Sequence, residues 1–232
     1  MKILALETSA KACSAAVTEN GRVVASAFQC TGLTHSRTLM PMVEDMLRNA
    51  DLTLADCDVI AVANGPGSFT GIRIGIAAAK GLAFAAEKPM AGISTLEAMA
   101  MNCIGTVGLI ICAMDARRQQ IYNALFLSDG NRLTRLSPDR PIALAELAEE
   151  IKRSSEAHIV VVGDGAHLCR NYLTEAGIDC VLVPPHLLQQ NAVTVALAAE
   201  YAVTEGRLCS AQDLEAVYLR AAQADKLKTQ KS

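Results

Sequence analysis

Short aliphatic runs alternate with polar turns along the chain, and the first three runs predict an antiparallel sheet. Residues 2–6 form an aliphatic run that predicts a buried strand, residues 13–18 predict a second strand and residues 22–28 a third. Asn20 and Gly21 lie between the second and third runs, where they supply the positive φ angles of a tight hairpin turn. Three antiparallel strands are therefore expected at the start of the chain.

The next segment has a helical period. Apolar side chains recur in it at helical spacing, at Leu39, Val43, Met46, Leu47 and Ala50. Pro41 fits this helix if Thr38 caps its start, because proline is tolerated in a first turn. If the helix begins near Thr34 instead, Pro41 lies inside it and is expected to kink it.

A strand at residues 59–63 leads into a glycine-rich turn and a helix of small residues. The turn and the helix start have the sequence Asn64-Gly65-Pro66-Gly67-Ser68-Phe69-Thr70-Gly71-Ile72-Arg73. Each glycine inside a helix costs about 1 kcal/mol relative to alanine, so these glycines must serve a purpose. They could bring backbone N–H groups to an anion at the helix start. Alternatively, they could let another helix pack unusually close, since one helix face is lined by Gly71, Gly75, Ala79 and Ala83.

The order of elements then repeats. The second half contains predicted strands at residues 107–114, 120–127, 132–136 and 159–162 and predicted helices at residues 144–154 and 167–176. Glu7 precedes its hairpin glycine by about the same interval as Asp115 precedes Gly130. These parallels predict an internally duplicated α/β architecture. Residues 180–183 predict a late strand, residues 193–205 a further helix and residues 217–220 a short strand-like run.

Composition narrows the class of protein. The 232 residues are 51% hydrophobic but only 3% aromatic, so an aliphatic core is expected. The formal net charge of -3, without a basic stripe, argues against autonomous nucleic-acid binding. Eight cysteines without a C-x-x-C pair, and no signal-peptide layout, predict free thiols in a reducing cytoplasm. No apolar run is expected to reach the length of a membrane span, because Arg73 and Lys80 interrupt residues 72–86.

These features resemble the actin, hexokinase and heat-shock ATPase superfamily, and within it the bacterial TsaB (YeaZ) family. Besides the glycine-rich block, the resemblance is carried in order by Leu4-Ala5-Leu6-Glu7-Thr8-Ser9, His35-Ser36-Arg37 with Leu39-Met40-Pro41, Ala79-Lys80-Gly81-Leu82-Ala83, Met114-Asp115-Ala116-Arg117-Arg118 and Val217-Tyr218-Leu219-Arg220. It implies a duplicated actin-like (ribonuclease-H-like) fold with two lobes, each a mixed sheet flanked by helices. The first lobe would comprise residues 1–103 plus about 190–222, the smaller second lobe residues 104–189, and a polar tail residues 223–232.

The resemblance also implies a function and partners. Family members are required for making threonylcarbamoyladenosine (t6A) at adenosine 37 of tRNAs, as a scaffold that heterodimerises with and activates the transferase subunit TsaD. The small ATPase TsaE joins that complex, tRNA is contacted only through it, and the isolated subunit forms homodimers. A cytoplasmic location, no membrane contact and no cofactor are expected, with ATP or ADP at a shared interface of the complex as the alternative.

The positions that would carry chemistry in the superfamily are altered here. The turn after the first strand is usually Asp-x-Gly-Thr, but here it is Glu7-Thr8-Ser9, which lengthens the carboxylate and lacks the glycine that approaches phosphate. The metal-binding His-x-x-x-His pair of the catalytic paralogue aligns with Thr95 and Met99, which are unsuitable ligands for a hard cation. The resemblance therefore implies a pseudo-enzyme without catalytic residues or a metal site.

Two sets of candidate site residues follow. The candidates for nucleotide contact are Glu7, Gly65, Gly67 and Asp164. The alternative for Glu7 is a hydrogen bond within its own turn, and the alternative for Asp164 is to cap the next helix. The candidates for the partner interface are His35, Leu39, Met42, Val43, Met46, Gly71, Ile72, Gly75, Ala79 and Ala83. An active ATPase or small-molecule kinase is the alternative function, and a peptidase is a weaker one, since no Ser/His/Asp set is assignable.

Overall fold

The structure is a computed structural model that describes residues 1–117, 120–154, 156 and 158–220. Its strands are β1 (Lys2–Glu7), β2 (Cys13–Glu19), β3 (Arg22–Gln29), β4 (Val59–Gly65), β5 (Met90–Ser94), β6 (Val107–Asp115), β7 (Gln120–Asp129), β8 (Leu133–Arg135), β9 (Arg140–Ala143), β10 (Ile159–Val162) and β11 (Val181–Leu182). Its helices are α1 (His35–Asn49), α2 (Phe69–Ala86), α3 (Thr95–Ala100), α4 (Leu144–Lys152), α5 (Ala166–Glu175) and α6 (Ala192–Thr204). The predicted tail at 223–232 and Arg118 of the family motif lie outside the described residues.

The two sheets have the same strand order, which confirms the predicted duplication. The first sheet has the order β3-β2-β1-β4-β5, and the second has the order β8-β7-β6-β10-β11, with β9 on the other end of β7. In each sheet the initial hairpin is antiparallel and the later strands are parallel. Parallel neighbours require a crossover connection, and helices supply it in both halves. The fold is therefore the duplicated α/β arrangement expected from the sequence.

Side chains of β1 alternate between two hydrophobic cores. Leu4 and Leu6 face a core shared with α1 and α2, whereas Ile3 and Ala5 face a core shared with α6. We call the first sheet with α1, α2 and α6 the first lobe, and the second sheet with α4 and α5 the second lobe. The short helix α3 lies between the two sheets and contributes to the cores of both lobes. The residue boundaries predicted for the lobes stay a prediction.

Two local predictions are decided by the structure and one needs correction. Helix α1 begins at His35 with Thr34 as its N-cap, which confirms the start near Thr34, so Thr38 does not cap the helix and Pro41 lies inside it. The strand predicted at 132–136 is confirmed as β8, whereas the sequence analysis missed β9, whose proline is tolerated at a sheet edge. Residues 217–220 form no strand, because this segment pairs with β4 through a single backbone hydrogen bond, from Val217.

Helix α2 is longer and more apolar than the sequence analysis allowed. Among the described residues it is the helix whose length and composition would suffice to cross a membrane, so the expectation that no run reaches this length is wrong. Arg73 and Lys80 are its two charged residues, too few to lower the mean hydropathy of 18 residues below that of a span. One such helix is weak evidence for a membrane, because core helices have the same composition, and one face of α2 packs on the first sheet.

The cysteines are free thiols, as predicted. None of the eight forms a disulfide, and six are buried: Cys13, Cys57, Cys103, Cys112, Cys169 and Cys180. Burial raises the pKa of Cys103 and of Cys169 to about 12. These two thiols are accordingly protonated and unreactive at neutral pH.

Candidate functional site

Three glycines of the turn and of α2, Gly67, Gly71 and Gly75, lie against the β1–β2 turn of the same chain. A Cβ atom added at Gly71 would lie 2.1 Å from the carbonyl oxygen of Thr8, and one at Gly75 would lie 2.3 Å from the Oγ1 of Thr8. A Cβ atom at Gly67 would lie 2.5 Å from the carbonyl oxygen of Ser9. No side chain fits at these separations. The glycines are therefore needed so that the β1–β2 turn can pack directly on the start of α2.

Two N–H groups at this helix start are bonded within the chain. The N–H of Ser68 donates to the carbonyl oxygen of Ser9 (2.7 Å), and the N–H of Gly71 donates to the Ser68 hydroxyl (3.3 Å). The Thr8 hydroxyl donates to the carbonyl oxygen of Gly71 (2.8 Å). A phosphate at this turn would compete for these donors and for the space that Thr8 and Ser9 fill. The packing of the β1–β2 turn therefore disfavours a nucleotide phosphate there.

Glu7 lies fully buried at the carboxyl end of β1. Its Oε1 accepts a hydrogen bond from the N–H of Ser9, which confirms the alternative of bonding within its own turn. Its Oε2 has no hydrogen-bond partner among the described residues. Burial raises the pKa of Glu7 to about 7, the negative charge of Asp164 adds to the rise, and the hydrogen bonds from Ser9 oppose it. Glu7 is accordingly half protonated near neutral pH, which weakens it as a ligand for a hard cation.

The corresponding turn of the second half uses its acid in the same way. Asp115 ends β6, and its Oδ1 accepts a hydrogen bond from the N–H of Arg117 (2.7 Å). The spacing of two residues between the carboxylate and the N–H is the same as that between Glu7 and Ser9. Both acidic turns therefore stabilise their own backbone, and the duplication extends to this detail.

Asp164 lies in the turn after β10 and bonds to the segment that precedes α6. Its Oδ1 accepts a hydrogen bond from the Nε2 of Gln190 (3.0 Å). It does not cap α5, whose N-cap Gly165 has no side-chain hydrogen bond, so that alternative is wrong. Burial raises the pKa of Asp164 and the charge of Asp115 adds to the rise, while Gln190 and the charge of Lys11 oppose it.

These acids do not assemble into a metal site. Within the described ranges, no group of three or more His, Cys, Asp or Glu side chains is placed to hold one metal ion. Thr95 and Met99, the positions aligned with the paralogue's histidine pair, are fully buried on α3. The sulfur of Met99 accepts from the Nε2 of Gln190 at 3.3 Å. Both positions thus belong to the packing between the lobes.

Most residues predicted for the partner interface are packed inside the first lobe. The eight buried ones are Leu39, Val43, Met46, Gly71, Ile72, Gly75, Ala79 and Ala83, while His35 and Met42 are half-buried. The Nε2 atom of His35 lies 2.8 Å from the carbonyl oxygen of Ala10. The sequence analysis expected this small-residue face to let another helix pack unusually close. Its close neighbour is instead the chain's own β1–β2 turn and β4. A role of the helix pair in binding a partner stays a prediction.

A second face of α2 is also small and apolar, and it points outward. Its exposed positions, which we call the outward face of α2, are Thr70, Arg73, Ala77, Gly81, Phe84 and Ala85. Their spacing of three and four residues places them on one side of the helix. Phe84 is 78% exposed, and a Cβ atom at Gly81 would meet nothing within 4 Å. An exposed apolar surface of this kind is typical of protein–protein contact.

The sequence analysis predicted the buried face of α2 as the partner interface, because small residues occupy both sides of this helix. Gly71 and Gly75 indicate a close neighbour, but Ala77 and Gly81 carry the same signal on the other side. A charged residue distinguishes the two sides, since the guanidinium of Arg73 requires a position where the helix meets solvent. That signal was available in the sequence.

Comparisons with known proteins identify relatives of this chain in sequence and in fold. The family profile described as TsaD: tRNA N6-adenosine threonylcarbamoyltransferase matches residues 29–206. The tRNA threonylcarbamoyladenosine biosynthesis protein TsaB of Escherichia coli K12 is 34% identical over 222 residues, which cover 95% of each chain. The solved structure of YeaZ from Pseudomonas aeruginosa is 28% identical, with a TM-score of 0.81 over 94% of this chain and 99% of that one. A ROK hexokinase from Thermus thermophilus, 14% identical with a TM-score of 0.50 over 89% of this chain and 100% of that one, shows the fold alone.

Proposed function

Because this chain belongs to the TsaB (YeaZ) family of tRNA threonylcarbamoyladenosine biosynthesis proteins, we propose that it serves t6A formation as a non-catalytic scaffold that heterodimerises with and activates a TsaD-like transferase. A TsaE-like ATPase joins this complex, tRNA is bound only through it, and the isolated chain forms a homodimer. The proposed location is the cytoplasm.

The outward face of α2 carries this proposal. Ala77, Gly81 and Ala85 leave the helix backbone close to the surface, so a partner helix can approach it closely. Phe84 projects from the same face and is large enough to fill a pocket on a partner. Burying this exposed apolar surface supplies the driving force for association. Docking through this face leaves the packed face of α2 undisturbed.

The buried turns between the two lobes support the non-catalytic part of the proposal. Glu7 and Asp115 each accept a hydrogen bond from their own turn, and the N–H groups of Ser68 and Gly71 are bonded within the chain. Thr95 and Met99 are core residues. A phosphate or a metal ion would have to displace these contacts before it could bind at these residues.

A charge on the outward face is expected to weaken the complex. Ala77 is exposed, so Ala77→Glu leaves the fold intact, yet in the complex the carboxylate would be buried without a partner. We expect affinity for the TsaD-like subunit to fall at least about tenfold, with loss of t6A formation in a reconstituted reaction. Calorimetric titration and light scattering after size exclusion measure the binding.

The matched control is Ala145→Glu, the same change at an exposed position of α4 in the second lobe. It is expected to bind the partner and to support t6A formation like the natural chain. Equal binding by both variants would refute docking through the outward face. Transfer of the threonylcarbamoyl group by this chain without its partner would refute the non-catalytic role. Bulky changes at Gly75 are unsuitable as a test, because they would clash with Thr8 inside the chain.

A further inference from the structure

The segment Cys209–Arg220, which we call the C-terminal strap, begins on the first lobe. Cys209 pairs with Met90 at the start of β5 through two backbone hydrogen bonds of 2.9 Å each. Leu214 is 3% exposed and packs in the core shared by α1 and α2. The Nζ of Lys80 donates to the carbonyl oxygen of Gln212 (3.3 Å). This part of the strap is therefore an integral part of the first lobe.

The strap then runs directly over the glycine-rich turn. The Nδ2 of Asn64 donates to the carbonyl oxygen of Glu215 (3.1 Å), and the N–H of Val217 donates to the carbonyl oxygen of Asn64 (2.7 Å). Gly65 has φ +125°, and a Cβ atom there would lie 2.3 Å from the carbonyl oxygen of Val217. Only glycine permits this approach, so Gly65 is explained by the strap.

An aromatic and cationic cluster fastens the next residue to α2. The Nε of Arg73 donates to the hydroxyl of Tyr218 (2.9 Å), and its guanidinium carbon lies 3.7 Å from the ring centroid of Phe69. The rings of Phe69 and Tyr218 are 5.0 Å apart. These contacts direct the chain beyond Tyr218 toward the second lobe.

Arg220, the last described residue, contacts the second lobe. Its Nη1 donates to the carbonyl oxygen of Ala116 (2.8 Å), and its Nη2 donates to the side chain of Gln120. Its guanidinium carbon lies 5.7 Å from the ring centroid of Tyr122. All three partners belong to the β6–β7 hairpin, at the end where the acidic turn after Asp115 joins its two strands. The strap thus connects the glycine-rich turn of one lobe to the acidic turn of the other.

We infer that the C-terminal strap limits the opening of the two lobes, and that Arg220 is the residue through which it does so. The strap contacts the carboxyl end of β4 in the first lobe through Val217 and the turn after β6 in the second through Arg220. Separating the lobes requires Arg220 to leave Ala116 and Gln120, because its preceding residues stay bound to α2 and the glycine-rich turn. The guanidinium reaches its two acceptors from separate nitrogens in a fixed plane, a geometry that the single ammonium nitrogen of lysine does not reproduce. This inference does not depend on the proposed function.

Hydrogen–deuterium exchange of the full chain tests the inference. In Arg220→Ala we expect about tenfold faster exchange at the Val217 amide and also at the amides of Ser9 and Gly165, in the turns after β1 and β10. Gln120→Ala removes an acceptor on the second lobe without altering the strap, and it should give the same pattern with a smaller change. Arg220→Lys should fall between the natural chain and Arg220→Ala.

Arg48→Ala is the control, because Arg48 is an exposed arginine whose described partner is Asp45 on the same helix. It should leave exchange at Ser9 and Gly165 unchanged. Faster exchange confined to the strap in Arg220→Ala, with natural rates at the amides of Ser9 and Gly165, would overturn the inference. So would natural rates at all these amides in Gln120→Ala.

Discussion

Replacing Gly71 by alanine is expected to destabilise the chain by about 3 kcal/mol, whereas the same replacement at Gly81 is expected to stabilise it by up to about 1 kcal/mol. At Gly71 the added Cβ would lie 2.1 Å from the backbone carbonyl oxygen of Thr8, which cannot move without distorting β1. At Gly81 the added methyl meets nothing within 4 Å and only improves the helix. Each change adds one methyl group to a glycine of α2, and the contact with Thr8 distinguishes the two positions.

Urea unfolding of the two variants beside the natural chain measures this contrast. The midpoint should fall for Gly71→Ala and rise slightly for Gly81→Ala, with the slope against urea unchanged. Equal stability of the two variants would contradict the close contact between the β1–β2 turn and α2. Gly81→Ala adds only one methyl group to the outward face of α2, so it changes the proposed docking surface little.

The second large effect concerns pH. The pKa of Glu7 in the folded chain is about 7, above its ordinary value of 4.5, so the folded chain binds this proton more tightly than the unfolded chain does. The contribution of this proton to the free energy of unfolding is fully present below about pH 4.5 and is lost as the pH rises through 7. The difference between the two pKa values corresponds to about 3 kcal/mol. Glutamine at this position never ionises, yet its side-chain oxygen can still accept from Ser9.

We therefore expect Glu7→Gln to match the natural chain within about 1 kcal/mol near pH 5 and to exceed its stability by about 3 kcal/mol at pH 8. Urea unfolding at both pH values measures this divergence. Asp164 also titrates with a raised pKa, so the difference between the two proteins at each pH is the informative quantity. Glu146→Gln, on the exposed side of α4, controls for the loss of one negative charge. A constant difference at both pH values would contradict the raised pKa of Glu7.

Much of the fold was predictable because its elements have local causes. Asn20 and Gly21 close a hairpin through their own backbone preferences, and aliphatic runs bounded by turns predict strands wherever they occur. The repeated order of these elements predicted the duplication, which the matching strand orders confirm. The bond between Glu7 and Ser9 was also predictable, because it lies within a single turn.

The tertiary structure decided what depends on contacts between distant segments. It placed the small residues of α2 around Thr8, joined Asp164 to Gln190 instead of to its own helix, and laid Val217 across Gly65. In each case the partners are far apart in the chain, so no local pattern specifies them. The sequence by itself determined the duplicated elements, the family motifs and the acidic turns. Only tertiary packing decided which segment lies against the glycines of α2 and where the strap ends, because burial and clash depend on the whole surrounding surface.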